Sequence, residues 1–219
     1  MSAKKIFCFG ISLIAVFMLW TFLIQVVDVR YIGQNGTAVG FASLNASFHA
    51  WTGVHTALYT LTDWLGLVPI CCCLCFGGFG LLQWIKRKNL FKVDFDLLLL
   101  GIAYAAVIFV YAVFEAIPIN YRPILINGVA EASYPSSTVL LVLSVMPTVI
   151  FQIKRRMKNT MVRKMMIVFS VSFSLFMVIG RTVAGVHWLT DIIGAVLLSA
   201  GLFLLYQASV TFCCKKSKE

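Results

Sequence analysis

Long apolar runs alternate with short charged ones along the chain, and each run has the length of a membrane crossing. About 20 apolar residues carry a helix across the hydrocarbon core, and lipid offers an unpaired backbone group no hydrogen bond, so such runs predict helices. Six stretches qualify, about residues 6–27, 65–85, 97–117, 136–153, 165–184 and 192–214. The third is uncharged from its start to Glu115. The fourth holds Pro147, which a helix within a bundle tolerates as a kink, and the fifth ends near Arg181. The pattern predicts an all-α polytopic membrane protein, six transmembrane helices in one bundle, forming a single domain over residues 1–219.

Composition narrows the function classes. The chain is 61% hydrophobic and only 12% charged, against about 25% charged in an average soluble domain, which excludes a water-soluble enzyme and a disordered chain. The net charge of +10 would suit nucleic acid, an acidic substrate or a membrane surface. Its distribution decides. Short loops rich in Lys and Arg stay cytoplasmic, and fifteen of the eighteen basic residues fall on one side of the predicted bundle: Lys4 and Lys5, the 86–92 and 154–164 loops, and the lysines after residue 214. Both termini are therefore expected in the cytoplasm, and no nucleic-acid partner is needed to account for the charge. The first span is too long for a signal peptide and ends in Asp28 and Arg30 without a small-residue cleavage site, so it reads as a retained anchor.

The loop after that span contains Tyr31, Phe41, Phe48, His49, Trp51 and His55, and it fits either an interfacial segment over a site or an aromatic belt. His49 and His55 have no partner at a recognised spacing, and Asp63 reads as marking a helix end. Cys71, Cys72, Cys73 and Cys75 lie inside the second span, where thiols act as small apolar groups; they lack metal-ligand spacing to any histidine, so no metal or other cofactor is expected. Cys213 and Cys214 read as helix-end packing.

Arg30, Arg122 and Arg181 remain for the opposite face, and charge at a membrane boundary is costly enough to be functional. Arg122 belongs to Glu115-Ala-Ile-Pro-Ile-Asn-Tyr-Arg122-Pro123, followed by Glu131-Ala-Ser-Tyr134-Pro135-Ser136-Ser137-Thr138. Arg181 belongs to Gly180-Arg181-Thr-Val-Ala-Gly185-Val-His187-Trp188-Leu-Thr190-Asp191. Two guanidinium forks can hold phosphoryl oxygens bidentately. Ser136 and Ser137 follow Pro135 at a helix start, where free N–H groups and the helix dipole favour an anion. His187 and Asp191 are four apart, so on a helix the carboxylate can set the imidazole tautomer and leave the ring a nucleophile towards phosphorus.

At these residues the chain resembles the type 2 phosphatidic acid phosphatase superfamily of integral-membrane lipid phosphatases. That family carries a Lys followed seven residues later by Arg-Pro, a Pro-Ser-Gly-His, and a Ser-Arg followed by His and then Asp. The third signature is matched at Arg181, His187 and Asp191, with Gly180 in place of Ser; the first and second are degenerate. The resemblance implies that His187 attacks phosphorus to give a phosphohistidine, Asp191 orients it, and Arg122 and Arg181 bind the phosphoryl group, with Ser136, Ser137 and Thr138 lining the phosphate site. It also implies a multi-pass protein of a plasma membrane, bacterial by its lack of sizeable extramembrane parts, with the site on the extracytoplasmic face.

Glu115 stands where the first signature has Lys, and Thr138 where the second has the His that protonates the leaving group. A threonine hydroxyl is no acid near neutral pH. Either a carboxyl substitutes, with Glu131 or Glu115 nearest, or the substrate needs no acid, or the protein binds without turnover. A departing phosphate has a pKa of about 6, so loss of the acid tilts the expectation towards a polyprenyl or other lipid diphosphate over a phosphatidic-acid-like monoester. The alternative to a lipid phosphatase is a lipid-phosphate binding or transport protein on the same fold.

Overall fold

The computed structural model describes residues 2–216; residues 217–219 and the side chains of 214–216 lie outside the described part, and with them the expected grouping of the terminal lysines and the packing of Cys214. Eight α-helices follow one another: α1 Ala3–Val26, α2 Ala42–Thr52, α3 Thr56–Leu65, α4 Leu67–Arg87, α5 Phe95–Ala116, α6 Ser137–Arg156, α7 Thr160–Val183 and α8 Leu189–Lys216. Six segments are long and apolar enough to cross a membrane, α3 and α4 acting together as one over Thr56–Arg87. The helices extend past most of the boundaries read from the sequence, because Lys154–Arg156 and Arg163–Lys164 end an apolar run but do not end a helix. The largest correction is the second span. Its first ten residues, with Tyr59, Thr62 and Asp63, read as loop, yet they form α3, which runs into α4 with a break only at Gly66.

α6 is the central element, packed against α4, α5, α7 and α8. Its lining of Val139, Leu140, Val142, Val145 and Met146 is buried, whereas α1, α4, α5 and α7 turn large apolar side chains outward, as lipid-facing helices do. α1 lies along α8, and Gly10 and Gly201 let the two approach: a methyl on Gly201 would come within 2.6 Å of Ile14 Cδ1.

The two ends of the bundle differ. At the basic end Arg156 donates to both oxygens of Asp96 at 2.7 and 2.9 Å and to Asp94 at 2.9 Å. Asp94 also takes Arg87 at 3.0 Å, so α4, α5 and α6 are tied together there. At the other end, residues 28–64 fold over the helix termini. Asp28 accepts the Ser43 N–H and caps α2. Asn45, fully buried, donates to the Gly40 carbonyl and to Thr190 Oγ1 at 3.0 Å, tying α2 to the start of α8.

The turn between α7 and α8 depends on Gly185, whose φ is +69° and whose added methyl would strike the Gly53 carbonyl. Gly185→Ala is expected to destabilise the protein by at least about 2 kcal/mol, from a left-handed backbone and a blocked contact. A melting temperature in detergent unchanged from the parent would contradict this.

Candidate active site

The short α7–α8 turn delivers Arg181, His187 and Asp191 to one place, and the 117–136 loop wraps over them. Trp188 caps α8, and Asp191 Oδ2, three residues on, accepts the Trp188 N–H at 3.0 Å, the reciprocal half of a capping box. Asp191 Oδ1 takes Asn120 Nδ2 at 3.2 Å. The carboxylate is fully buried, and two donors from two segments fix its plane.

His187 is 3% exposed. Its Nδ1 lies 3.1 Å from the Ser133 carbonyl and 3.9 Å from Asp191 Oδ2. Both neighbours only accept, so Nδ1 carries the hydrogen and Nε2 keeps a lone pair. Nε2 has no hydrogen-bond partner among the described residues, and the ring lines a pocket of about 210 Å³. Burial, reinforced by the nearby charges of Arg122 and Arg181, holds the His187 imidazole well below its usual 6.5. The neutral ring therefore persists in the folded state at pH values where an unfolded chain would protonate it. Below pH 6.5 the unfolded state takes up a proton that the folded state refuses, so stability is level above this value and falls as the pH drops through it. In His187→Gln that acid-side loss is expected to be smaller, as thermal melts across the pH range would show; an identical profile would refute it.

Arg122 is 8% exposed and shares the pocket with Tyr111, Phe114, Glu115, Glu131, Ser137 and His187. Its Nε lies 3.2 Å from Glu131 Oε2, an ion pair off the direction of the N–H bond, and neither Nε nor Nη1 has a hydrogen-bond partner among the described residues. Desolvated N–H groups without partners are costly, and here two of them stand beside a lone pair with nothing to accept. A phosphoryl group would satisfy both.

Arg181 is 1% exposed. It lies against α3, with its guanidinium carbon 4.8 Å from the Tyr59 ring centre, Nη1 at 3.3 Å from both the Tyr59 carbonyl and Thr62 Oγ1, and Asp63 at 3.6 Å. Arg181 therefore backs the site without lining the pocket, and its Nε has no partner among the described residues.

Of the three hydroxyl residues expected at the phosphate, one lines the pocket and two do not. Ser137 lines the pocket, but Ser136 is fully buried outside its lining and its N–H donates to the Asp191 carbonyl at 3.2 Å, so that amide is not free for an anion. Thr138, also outside the lining, turns its methyl towards Gly66. The cause is helical phase: one position into α6, the side chain points about 100° away from Ser137. Glu131 and Glu115 both reach the pocket.

Sequence reasoning missed Asn120, Ser133, Tyr59 and Thr62. Asn120 had a signal, as a polar residue two before Arg122 in the largely apolar stretch 116–126. Ser133 acts through its carbonyl, which no side-chain pattern announces. His49 and His55 are structural: His49 Nε2 sits 3.1 Å from the Gly185 carbonyl and the His55 N–H donates to Ala184, bracing the turn that leads to His187.

The bundle has six membrane-length segments and, at one end, a small polar pocket lined by Arg122 and His187, with Arg181 and Asp191 buried beside it. The model of the PAP2 superfamily matches residues 96–212, and the chain belongs to that family. The fold is similar to the crystal structure of a transmembrane PAP2 type phosphatidylglycerolphosphate phosphatase from Bacillus subtilis, at 19% identity and a TM-score of 0.56, covering 94% of this chain and 96% of that one. No curated protein matches the sequence.

Proposed function

We propose that the protein hydrolyses a lipid phosphate through a phosphohistidine on His187. One observation carries this reading: a buried imidazole with Nδ1 held by acceptors presents an Nε2 without a hydrogen-bond partner to the same pocket as Arg122, whose Nη1 has none either and whose Nε meets only the ion pair with Glu131. Arg122 binds the phosphoryl oxygens and Ser137 adds a hydroxyl. Asp191 and Ser133 orient the imidazole, and Arg181 supplies positive charge from behind. As Nε2 bonds to phosphorus the ester P–O bond breaks, and the departing oxygen needs a proton. Water then cleaves the P–N bond, releasing phosphate.

Glu131 is the proposed acid. It lies in the pocket on Arg122, and an arriving phosphate displaces it from the guanidinium. Glu131→Gln is expected to slow monoester cleavage about 100-fold and diphosphate cleavage far less. An unchanged monoester rate would remove Glu131 from the mechanism. The missing acid histidine favours a polyprenyl diphosphate; the pocket weighs the other way, because two lining carboxylates face one lining guanidinium. Both substrates therefore belong in the assay. The second reading, binding without turnover, is supported by Thr138, which stands outside the pocket and donates no proton there.

From the basic loops both termini are read as cytoplasmic, with the site on the extracytoplasmic face; a bacterial plasma membrane is the proposed location. Residues 1–219 are read as one functional domain. The deciding experiment uses detergent-purified protein and radiolabelled lipid phosphates. Release of inorganic phosphate, with transient acid-labile and base-stable label on the protein, supports the reading; binding without release from any lipid phosphate refutes it.

A further inference from the structure

A second hollow shares no residue with the active-site pocket. α7 packs chiefly against α3 and α6, and α4 against α5 and α6, so beyond the break at Gly66 α4 and α7 part and α6 forms the floor between them. The result is a groove of about 560 Å³, lined by Val68, Cys71 and Cys75 of α4, Val149 and Ile153 of α6 and Met166 of α7. The cysteine run of α4 thereby gains a role, because its short side chains leave the groove wide. The polar side chains on the wall are taken: Gln152 binds Tyr206 and Arg156, and Arg156 binds Asp94 and Asp96. A groove with no free polar group along its wall takes hydrocarbon.

Its mouth is charged. The groove ends at Arg156 and Met157, where α6 gives way to α7, and the stretch 154–164 holds six basic residues and no acid. Asp94 and Asp96 are already held by Arg87, Arg155 and Arg156. Lys154, Lys158, Arg163 and Lys164 form no ion pair among the described residues. Of these, Arg163 is aimed. It lies one turn before Met166 and Ile167, and Ile167 packs on Val149 and Ile153 of α6, so the phase of α7 turns Arg163 towards the mouth. Its neighbours Val162 and Lys164 are exposed, while Arg163 is half-buried. A guanidinium drawn partly out of water and left without an acceptor suits an anion.

We propose that the groove holds one acyl chain of an anionic phospholipid, from the leaflet at the basic end of the bundle, with its phosphodiester on Arg163 and Lys158. A second copy of the chain is the poorer occupant. Copies in one membrane share an orientation, so a symmetric contact on this face would set two unpaired basic stretches against each other. A lipid brings both the negative charge that the mouth lacks and the hydrocarbon that the groove takes. Bound there, it joins α4 to α7. Since α4 continues α3, and Tyr59 and Thr62 of α3 seat Arg181, the lipid props the back of the active site from the other leaflet.

The test compares two lipids that differ in headgroup charge. Full-length protein in an uncharged detergent is given phosphatidylmethanol or phosphatidylcholine with identical chains, each carrying a diazirine midway along one chain; after irradiation the label is mapped by peptide mass spectrometry and its yield titrated. Phosphatidylmethanol is expected to label residues 71–76 and 149–157, with an apparent Kd about tenfold below that of phosphatidylcholine, and to raise the melting temperature more. In the double variant Arg163→Gln, Lys158→Gln the two lipids should come within about twofold of each other. Equal affinities for the parent protein, or a preference that survives the double variant, overturn the site. So does label spread over the outer faces of α1 and α5, or label concentrated on Tyr111 and Phe114 of the active-site pocket. A dimer in the same detergent that keeps both lipids off residues 71–76 gives the groove to a second copy instead. None of these readouts needs turnover, so failure here leaves the hydrolytic reading untouched. The comparison on the parent protein decides the matter even if the variant folds poorly.

Discussion

His187→Gln is expected to lower phosphate release by about 10⁴-fold or more and to remove the transient label from the protein. The size follows from what is lost. Glutamine can still donate to the Ser133 carbonyl and fill most of the space, but it has no nitrogen lone pair able to bond phosphorus. Binding through Arg122 survives, because the guanidinium is positioned by the 117–136 loop and not by the imidazole. The variant should therefore retain affinity for the intact lipid while losing turnover. If activity falls by less than tenfold, the imidazole is not the nucleophile, and the unpartnered Nε2 has another explanation.

Asp191→Ala is expected to be the most damaging change to the structure and to the chemistry together. It takes the acceptor from the Trp188 N–H and from Asn120 Nδ2, both buried. Each orphaned donor costs about 1–3 kcal/mol, with a cap of α8 lost besides, so a fall of about 3 kcal/mol in stability is expected. The imidazole also loses a negative charge 3.9 Å from Nδ1, while the Ser133 carbonyl at 3.1 Å still holds its tautomer, so phosphate release is expected to fall about tenfold or more. Asp191→Asn separates the two effects. It keeps an oxygen for the Trp188 N–H and much of the stability, but loses the charge. Melting temperature and phosphate release measured on both variants check this: an alanine variant as stable as the parent would mean that the capping box carries no weight.

The sequence was most informative where physics acts along the chain. Apolar length alone yields six spans, and the spacing from Arg181 to His187 to Asp191 marks residues that the α7–α8 turn brings together, although His187 precedes α8 and so does not share a helix face with Asp191. It was least informative where a residue's environment comes from far away. α3 read as loop since its polar residues broke the apolar count, yet those residues are what Arg181 needs. Thr138 looked like a phosphate ligand by position in a signature, but the phase of α6 decides which of two neighbouring hydroxyls meets the pocket. Glu115 and Glu131 could be named from the sequence but not ranked; only their placement around Arg122 shows that both reach the same small volume.

The family match begins at residue 96, yet the guanidinium of Arg181 rests on Tyr59, Thr62 and Asp63, and the Tyr134 hydroxyl beside the second signature meets Thr21 at 2.7 Å. The matched segment is therefore not a minimal unit. Excised from its first 95 residues, it would carry all its signature side chains and still expose a bare arginine to lipid. The portion outside the family match is the portion that makes the matched chemistry tolerable in a membrane.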